Sequence, residues 1–123
     1  MTIADWCVLI AAIMPLLLSS IAKAGGQGFD NHQVRIYMEG LQGWRQRANW
    51  AQQNSFEAFA PFAAGVIIAQ QAGADQGVVD TLAMLFILIR LVYAGMYIGN
   101  LATLRSLVWT LGFLCVVGLF IAA

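Results

Sequence analysis

The sequence predicts an all-α fold, an integral membrane antiparallel four-helix bundle, and three observations carry that prediction. Of its 123 residues, 61% are hydrophobic and 10% charged, more apolar surface than a soluble domain this small can hide. The apolar residues fall in runs of about twenty, the length that crosses a hydrocarbon core of about 30 Å. Most connections between the runs are short, which sets consecutive helices side by side and antiparallel. The length suits one domain.

The first span is expected at about 3–22, with one charge, Asp5, at its margin and a kink at Pro15. Ala22-Lys23-Ala24 looks like a signal-peptidase site. The stretch before it is acidic rather than basic, however, so it is taken as an uncleaved span. Residues 25–43, within a loop expected at about 23–46, form the longest polar segment, broken by Gly25-Gly26, Gly28, Asp30-Asn31 and Gly40, with a short helix expected around 34–39. A second helix should run over about 42–72, roughly 45 Å, with 49–72 in the membrane and its basic start protruding into water. Pro61 should bend it. A tight turn at 73–77 leads to a third span at about 78–99, where Asp80 suits the positive end of the helix dipole. Near Asn100 a brief link leads to the fourth span, about 101–122.

Charge excludes some functions and orients the chain. A net charge of zero argues against a nucleic-acid partner. Lys23, Arg35, Arg45 and Arg47 lie between the first two spans and Arg105 follows the third, whereas the second connection carries no lysine or arginine. The positive-inside rule therefore puts loops one and three in the cytoplasm and both termini outside. Cys7 and Cys115 sit within apolar runs and read as small lipid- or core-facing residues, not as a disulfide or metal pair. His32 stands alone in a loop. The sequence carries no metal-ligand cluster, phosphate-binding glycine loop or nucleophile elbow.

The chemistry concentrates on two helices. From Arg47 to Pro61 an arginine, two glutamines, an asparagine and a glutamate stand directly against an apolar run. At about 100° per residue, Arg47, Asn54, Glu57 and Pro61 share one side of a helix. Such a stripe faces protein rather than lipid. Glu57 lies roughly 24 Å from the outer end of its helix and Arg90 roughly 20 Å from the outer end of the next. Each costs at least about 2.5 kcal/mol at mid-bilayer, so an ion pair between them is expected. Arg90, Tyr93 and Tyr97 share a face by their i, i+3, i+7 spacing. Gly95 and Gly99 point the other way and would let a helix approach closely.

At these residues the chain resembles the MAPEG family, membrane-associated proteins in eicosanoid and glutathione metabolism. Its second-helix signature looks like Ala51-Gln52-Gln53-Asn54-Ser55-Phe56-Glu57 followed by Pro61. Its third-helix signature looks like Arg90-Leu91-Val92-Tyr93, then Tyr97, Asn100 and Arg105. The resemblance covers nearly the whole chain, and the lack of long insertions points to a bacterial member in the inner membrane. It implies a homotrimer that binds glutathione at the cytoplasmic side between subunits and meets a lipophilic substrate from the bilayer. By that likeness Arg47, Asn54, Glu57, Arg90, Tyr93 and Tyr97 would line the glutathione site, and Arg105 would stand beside the sulfur. Trp50 replaces an arginine of the better-known transferases. Tyr97 and Arg105 lie one residue further apart than in the leukotriene-forming branch, a turn of about 100° if the helix is continuous. Two other functions suit the same composition: a non-catalytic membrane scaffold of this fold, and a small four-span multidrug exporter working through a buried glutamate.

Overall fold

The computed structural model describes residues 1–24, 26 and 28–123, so the expected break at Gly25 lies outside the described residues. The helices are α1 (Ile3–Lys23), α2 (Val34–Glu39), α3 (Gly43–Gln71), α4 (Gln76–Ile98) and α5 (Ala102–Ala122), with a 3-10 turn at Asn31–Gln33. A capping box starts α1: the Thr2 hydroxyl accepts from the Asp5 amide while the Asp5 carboxylate accepts from the Thr2 amide. Helix α1 runs on through Pro15 and α3 through Pro61. Two helices end on Schellman turns, in which a residue with positive φ lets the next two amides fold back onto the last carbonyls. Gly73 (φ 79°) does this after α3, with Ala74 N–H donating to Ala69 O at 3.0 Å. Asn100 (φ 63°) does it after α4, with Leu101 N–H donating to Met96 O at 2.9 Å.

Hydrogen bonds at the two ends of the bundle fix the directions of the helices. At one end Thr2 Oγ1 donates to Gln70 Oε1 (2.7 Å), and Gln70 Nε2 donates to Asp5 Oδ1 (3.0 Å). Gln76 Nε2 bridges Gln70 Oε1 and Asp80 Oδ1. Thus α1 and α4 begin where α3 ends. Asp80 does not serve the start of its own helix, as the sequence position led one to expect. It accepts from the Ala4 amide at 2.9 Å and so caps α1, while Asp75 caps α4 through Val78 N–H. At the other end Arg45 Nη2 donates to Ala24 O and Arg47 Nε to Ile98 O, both at 2.8 Å. Each arginine thereby meets an orphan carbonyl at or just past the C-terminus of a helix, where a cation also suits the dipole.

Between these ends the four long helices share one core of Phe62, Val66, Val79, Ala83, Phe86, Val116 and Leu119 with small residues of α1. Phe62 and Phe86 stack at 4.0 Å between centroids and lock α3 to α4. Close approach is made by glycines other than Gly95 and Gly99. A Cβ on Gly65 would meet Leu119 and Phe120 at 3.3 Å, one on Gly112 would meet Ile89 at 3.2 Å, and one on Gly118 would meet Leu82 at 3.3 Å. A Cβ on Gly95 would meet nothing within 4 Å, and one on Gly99 only backbone of its own turn. Among the described residues no helix uses that expected face.

Among the described residues three helices, α1, α4 and α5, are long and apolar enough to cross a membrane. The fourth, α3, has the length, but its first half carries Arg45, Arg47, Asn49, Gln52, Gln53, Asn54 and Glu57. The fold is therefore three apolar helices enclosing part of a fourth that is polar over half its length. Large side chains such as Leu16, Leu17, Leu88, Leu107 and Leu114 point outward, as a lipid-facing surface requires.

The αL turn at Asn100 aims α5 back along α4. Asn100→Val places a β-branched residue at positive φ and should cost about 1–2 kcal/mol, whereas Asn100→Gly should match the parent chain. Thermal unfolding in detergent, followed by tryptophan fluorescence, reads this directly; equal midpoints for both variants would remove the turn from that role.

Candidate functional site

A cavity of about 690 Å³ opens between α3, α4 and α5, within the size range of small-molecule sites. Its wall includes Trp50, Asn54, Glu57, Tyr93, Tyr97 and Arg105. Five of the seven residues singled out by sequence therefore meet here, drawn from three helices. A narrower apolar slot of about 120 Å³ adjoins it, lined by Pro61, Phe86, Arg90, Gly112 and Phe113. Asn54, Glu57 and Trp109 line both spaces.

The i, i+3, i+7 spacing on α4 produces a ladder of cations and rings. The Arg90 guanidinium lies 4.2 Å from the Tyr93 ring centre, Tyr93 meets Tyr97 edge to face at 5.7 Å, and Arg105 lies 4.2 Å from the Tyr97 ring. The extra residue between Tyr97 and Arg105 does not swing the arginine away, because the helix is not continuous. It breaks at Asn100, and the returning α5 lays Arg105 over Tyr97. Trp50 adds a third ring, 6.3 Å from Tyr97.

Arg90 is almost fully buried, 3% exposed, yet it does not pair with Glu57 in the single chain. Its protein hydrogen bond goes from Nη2 to Ser55 Oγ at 3.4 Å, a long contact. Ser55 can accept it because its own hydrogen goes to Ala51 O at 2.8 Å. A desolvated cation–ring contact is worth about 2 kcal/mol, more than so long a hydrogen bond, so Tyr93 sets the position of the guanidinium. Glu57 is exposed on the outer side of α3, where Asn54 Nδ2 reaches it at 3.5 Å. The two ions share the wall of the slot but point different donors and acceptors into it. Equal depth did not bring them together because α3 turns Ser55, not Glu57, toward α4.

Arg47 is absent from the wall of either space. Its guanidinium is spent on Ile98 O, where it holds the start of α3 to the end of α4. Sequence reasoning passed over Trp109, Ser106 and Thr110, which line the cavity from α5. Their one signal was polar residues one turn apart after Arg105, an i, i+1, i+4, i+5 pattern that an apolar helix has no need of. Asn54 Oδ1 is buried and has no donor among the described residues, so the cavity holds an unmet acceptor beside unspent arginine donors.

Fold and site together define an integral membrane helical protein with a polar pocket sunk among its helices. More particularly, the family model of the MAPEG family matches residues 3–123, and the chain belongs to that family. Searches of curated proteins and of solved structures found no significant match.

If Glu57 and Arg90 are independent in the folded chain, a double-mutant cycle of Glu57→Gln and Arg90→Met should show a coupling below about 0.5 kcal/mol. Thermal melts of the four proteins in detergent measure it. Coupling of several times that size would restore the ion pair.

Proposed function

We propose that this protein is a glutathione-dependent transferase or peroxidase of the membrane, which ionises the glutathione thiol for attack on a lipophilic electrophile. The observation that carries it is the shared wall of Asn54, Glu57, Tyr93, Tyr97 and Arg105, with Arg90 in the adjoining slot. Glutathione offers two carboxylates, an ammonium, two amides and a thiol. Glu57 suits the ammonium, Asn54 an amide N–H, and the phenols of Tyr93 and Tyr97 remaining oxygens. Arg90, with most of its five donors unspent, suits a carboxylate. Arg47 drops from direct contact and acts by positioning α3.

The thiolate, not the thiol, is the nucleophile. Lowering a thiol pKa of about 8.5 by two or three units takes roughly 3–4 kcal/mol of preferential thiolate stabilisation. Arg105 is the residue placed to supply it: half-buried, stacked on Tyr97, its edge N–H groups free for sulfur. The thiol proton passes to water at the cavity mouth when glutathione binds. The thiolate then bonds to the electrophilic carbon as the leaving group departs with its bonding pair, or to a hydroperoxide oxygen as the O–O bond breaks and the alkoxide takes a proton from water. The electrophile enters from the bilayer along the apolar slot, whose wall of Pro61, Phe86, Gly112 and Phe113 suits a nonpolar chain.

The site belongs at the cytoplasmic face, where glutathione is abundant, with both termini periplasmic in a bacterial inner membrane. Glu57 and Phe56 stand exposed on α3, a surface that a second and third copy of the chain would cover in a homotrimer. Membership of the family, rather than a Glu57–Arg90 pair, separates the chain from small multidrug exporters.

Two outcomes test the proposal. Millimolar glutathione should raise the melting temperature of the detergent-purified protein, and a flat titration in both thermal shift and equilibrium dialysis would reject it. Arg105→Ala should return the bound thiol to a pKa near 8.5, with the ultraviolet absorbance of the thiolate lost at neutral pH while dialysis still finds glutathione bound. Undiminished thiolate absorbance would assign that role to another cation.

A further inference from the structure

We propose that the cavity between α2 and the start of α3 holds the phosphodiester monoanion of an anionic phospholipid headgroup. This space of about 520 Å³ lies apart from the site above and is lined by Gly26, Ile36, Tyr37, Gly40, Gln42 and Arg45, among others. Among the described residues Arg45 is the one cation on its wall, and no carboxylate lines it. Two polar atoms there, the Tyr37 hydroxyl and Arg45 Nε, are buried with no hydrogen-bond partner among the described residues. Both can donate, and a phosphate, with several acceptor oxygens, suits two unmet donors on one cavity wall. Gly26 makes room for the phenol, since a Cβ there would collide with the Tyr37 hydroxyl.

Depth selects a lipid over a free ion. Helix α1 has 21 residues, about 32 Å, so its two ends lie at the two headgroup levels. Arg45 Nη2 is tied to Ala24 O, the residue just past that helix, and is therefore held at headgroup level. Around it the side chains make an interfacial belt. Phe29, Ile36 and Trp44 are exposed, Lys23 lies 5.1 Å over the Phe29 ring, and Arg45 lies 4.8 Å over Trp44. Ile36 on the cavity wall offers an acyl chain a nonpolar exit. A zwitterionic headgroup would bring an ammonium that no lining carboxylate meets, so an anionic lipid is preferred.

The test is native mass spectrometry of the full-length protein released from nanodiscs of mixed phosphatidylglycerol and phosphatidylcholine. The parent chain should retain phosphatidylglycerol over phosphatidylcholine by about tenfold, and Tyr37→Phe and Arg45→Gln should each erase most of that preference. Tyr37→Phe removes only a hydroxyl that no group among the described residues engages, so it decides the matter if Arg45→Gln fails to fold. Equal retention of the two lipids by the parent chain, or an unchanged preference in Tyr37→Phe, would overturn the proposal. So would inorganic phosphate raising the melting temperature in pure phosphatidylcholine nanodiscs in a Tyr37-dependent way, since the site would then take a free anion.

Discussion

The structure depends on how a half-polar helix is kept in a nonpolar surrounding. Every polar atom that α3 carries into the membrane must find a protein partner or a cavity, because lipid offers none. Helix α4 meets part of that demand, while Asn54 Oδ1 faces the cavity without a donor among the described residues. Arg47 with Ile98, Ser55 with Arg90, Phe62 with Phe86 and the Gln70 carbonyl with Gln76 step along the two helices in opposite chain directions. Two of these contacts involve charge and one is a ring stack, so a slip of one residue would lose all four at once. The register of α3 on α4 fixes where Arg90 and Tyr93 look, and the turn at Asn100 then fixes what Arg105 can reach.

The buried arginine has a particular arrangement within that register. A guanidinium cut off from water is normally expected to find a carboxylate, and the cost of leaving it alone runs to several kcal/mol. Here it has a ring face and one hydroxyl, and it borders the apolar slot. A full ion pair with Glu57 would have satisfied both charges and left the slot inert. Keeping them apart stores electrostatic capacity in the cavity wall, the condition under which a zwitterionic ligand gains from binding.

The all-helical architecture was legible because three apolar runs have the length of a bilayer, and the short helix at Val34–Glu39 because glycines bracket it. The grouping of Tyr93, Tyr97 and Arg90 was legible because helical spacing alone places them together. Arg47 illustrates what was not. Its spacing put it on the face of Asn54 and Glu57, but a long flexible side chain near a helix end is drawn to the nearest orphan carbonyl, and no one-helix pattern contains that carbonyl. Gly95 and Gly99 illustrate a different limit: a small-residue pair reports that close packing is permitted, while only the register decides which glycines receive a neighbour within the chain. Gly65, Gly112 and Gly118 received them.

The second departure in sequence, the longer interval from Tyr97 to Arg105, turns on the difference between counting along a helix and counting across a break. Along one helix an added residue rotates everything beyond it by about 100°. Across a Schellman turn the direction of the next helix is set by the positive-φ residue and by the packing of that helix, so one residue more can be absorbed in the turn. Helix α5 is held by Gly112 against Ile89 and Gly118 against Leu82, contacts well beyond the turn. Those anchors place its first turn, and the stack of Arg105 on Tyr97 follows from them. Pocket geometry in such a bundle is governed by the glycines deep among the helices as much as by the residues that line the pocket.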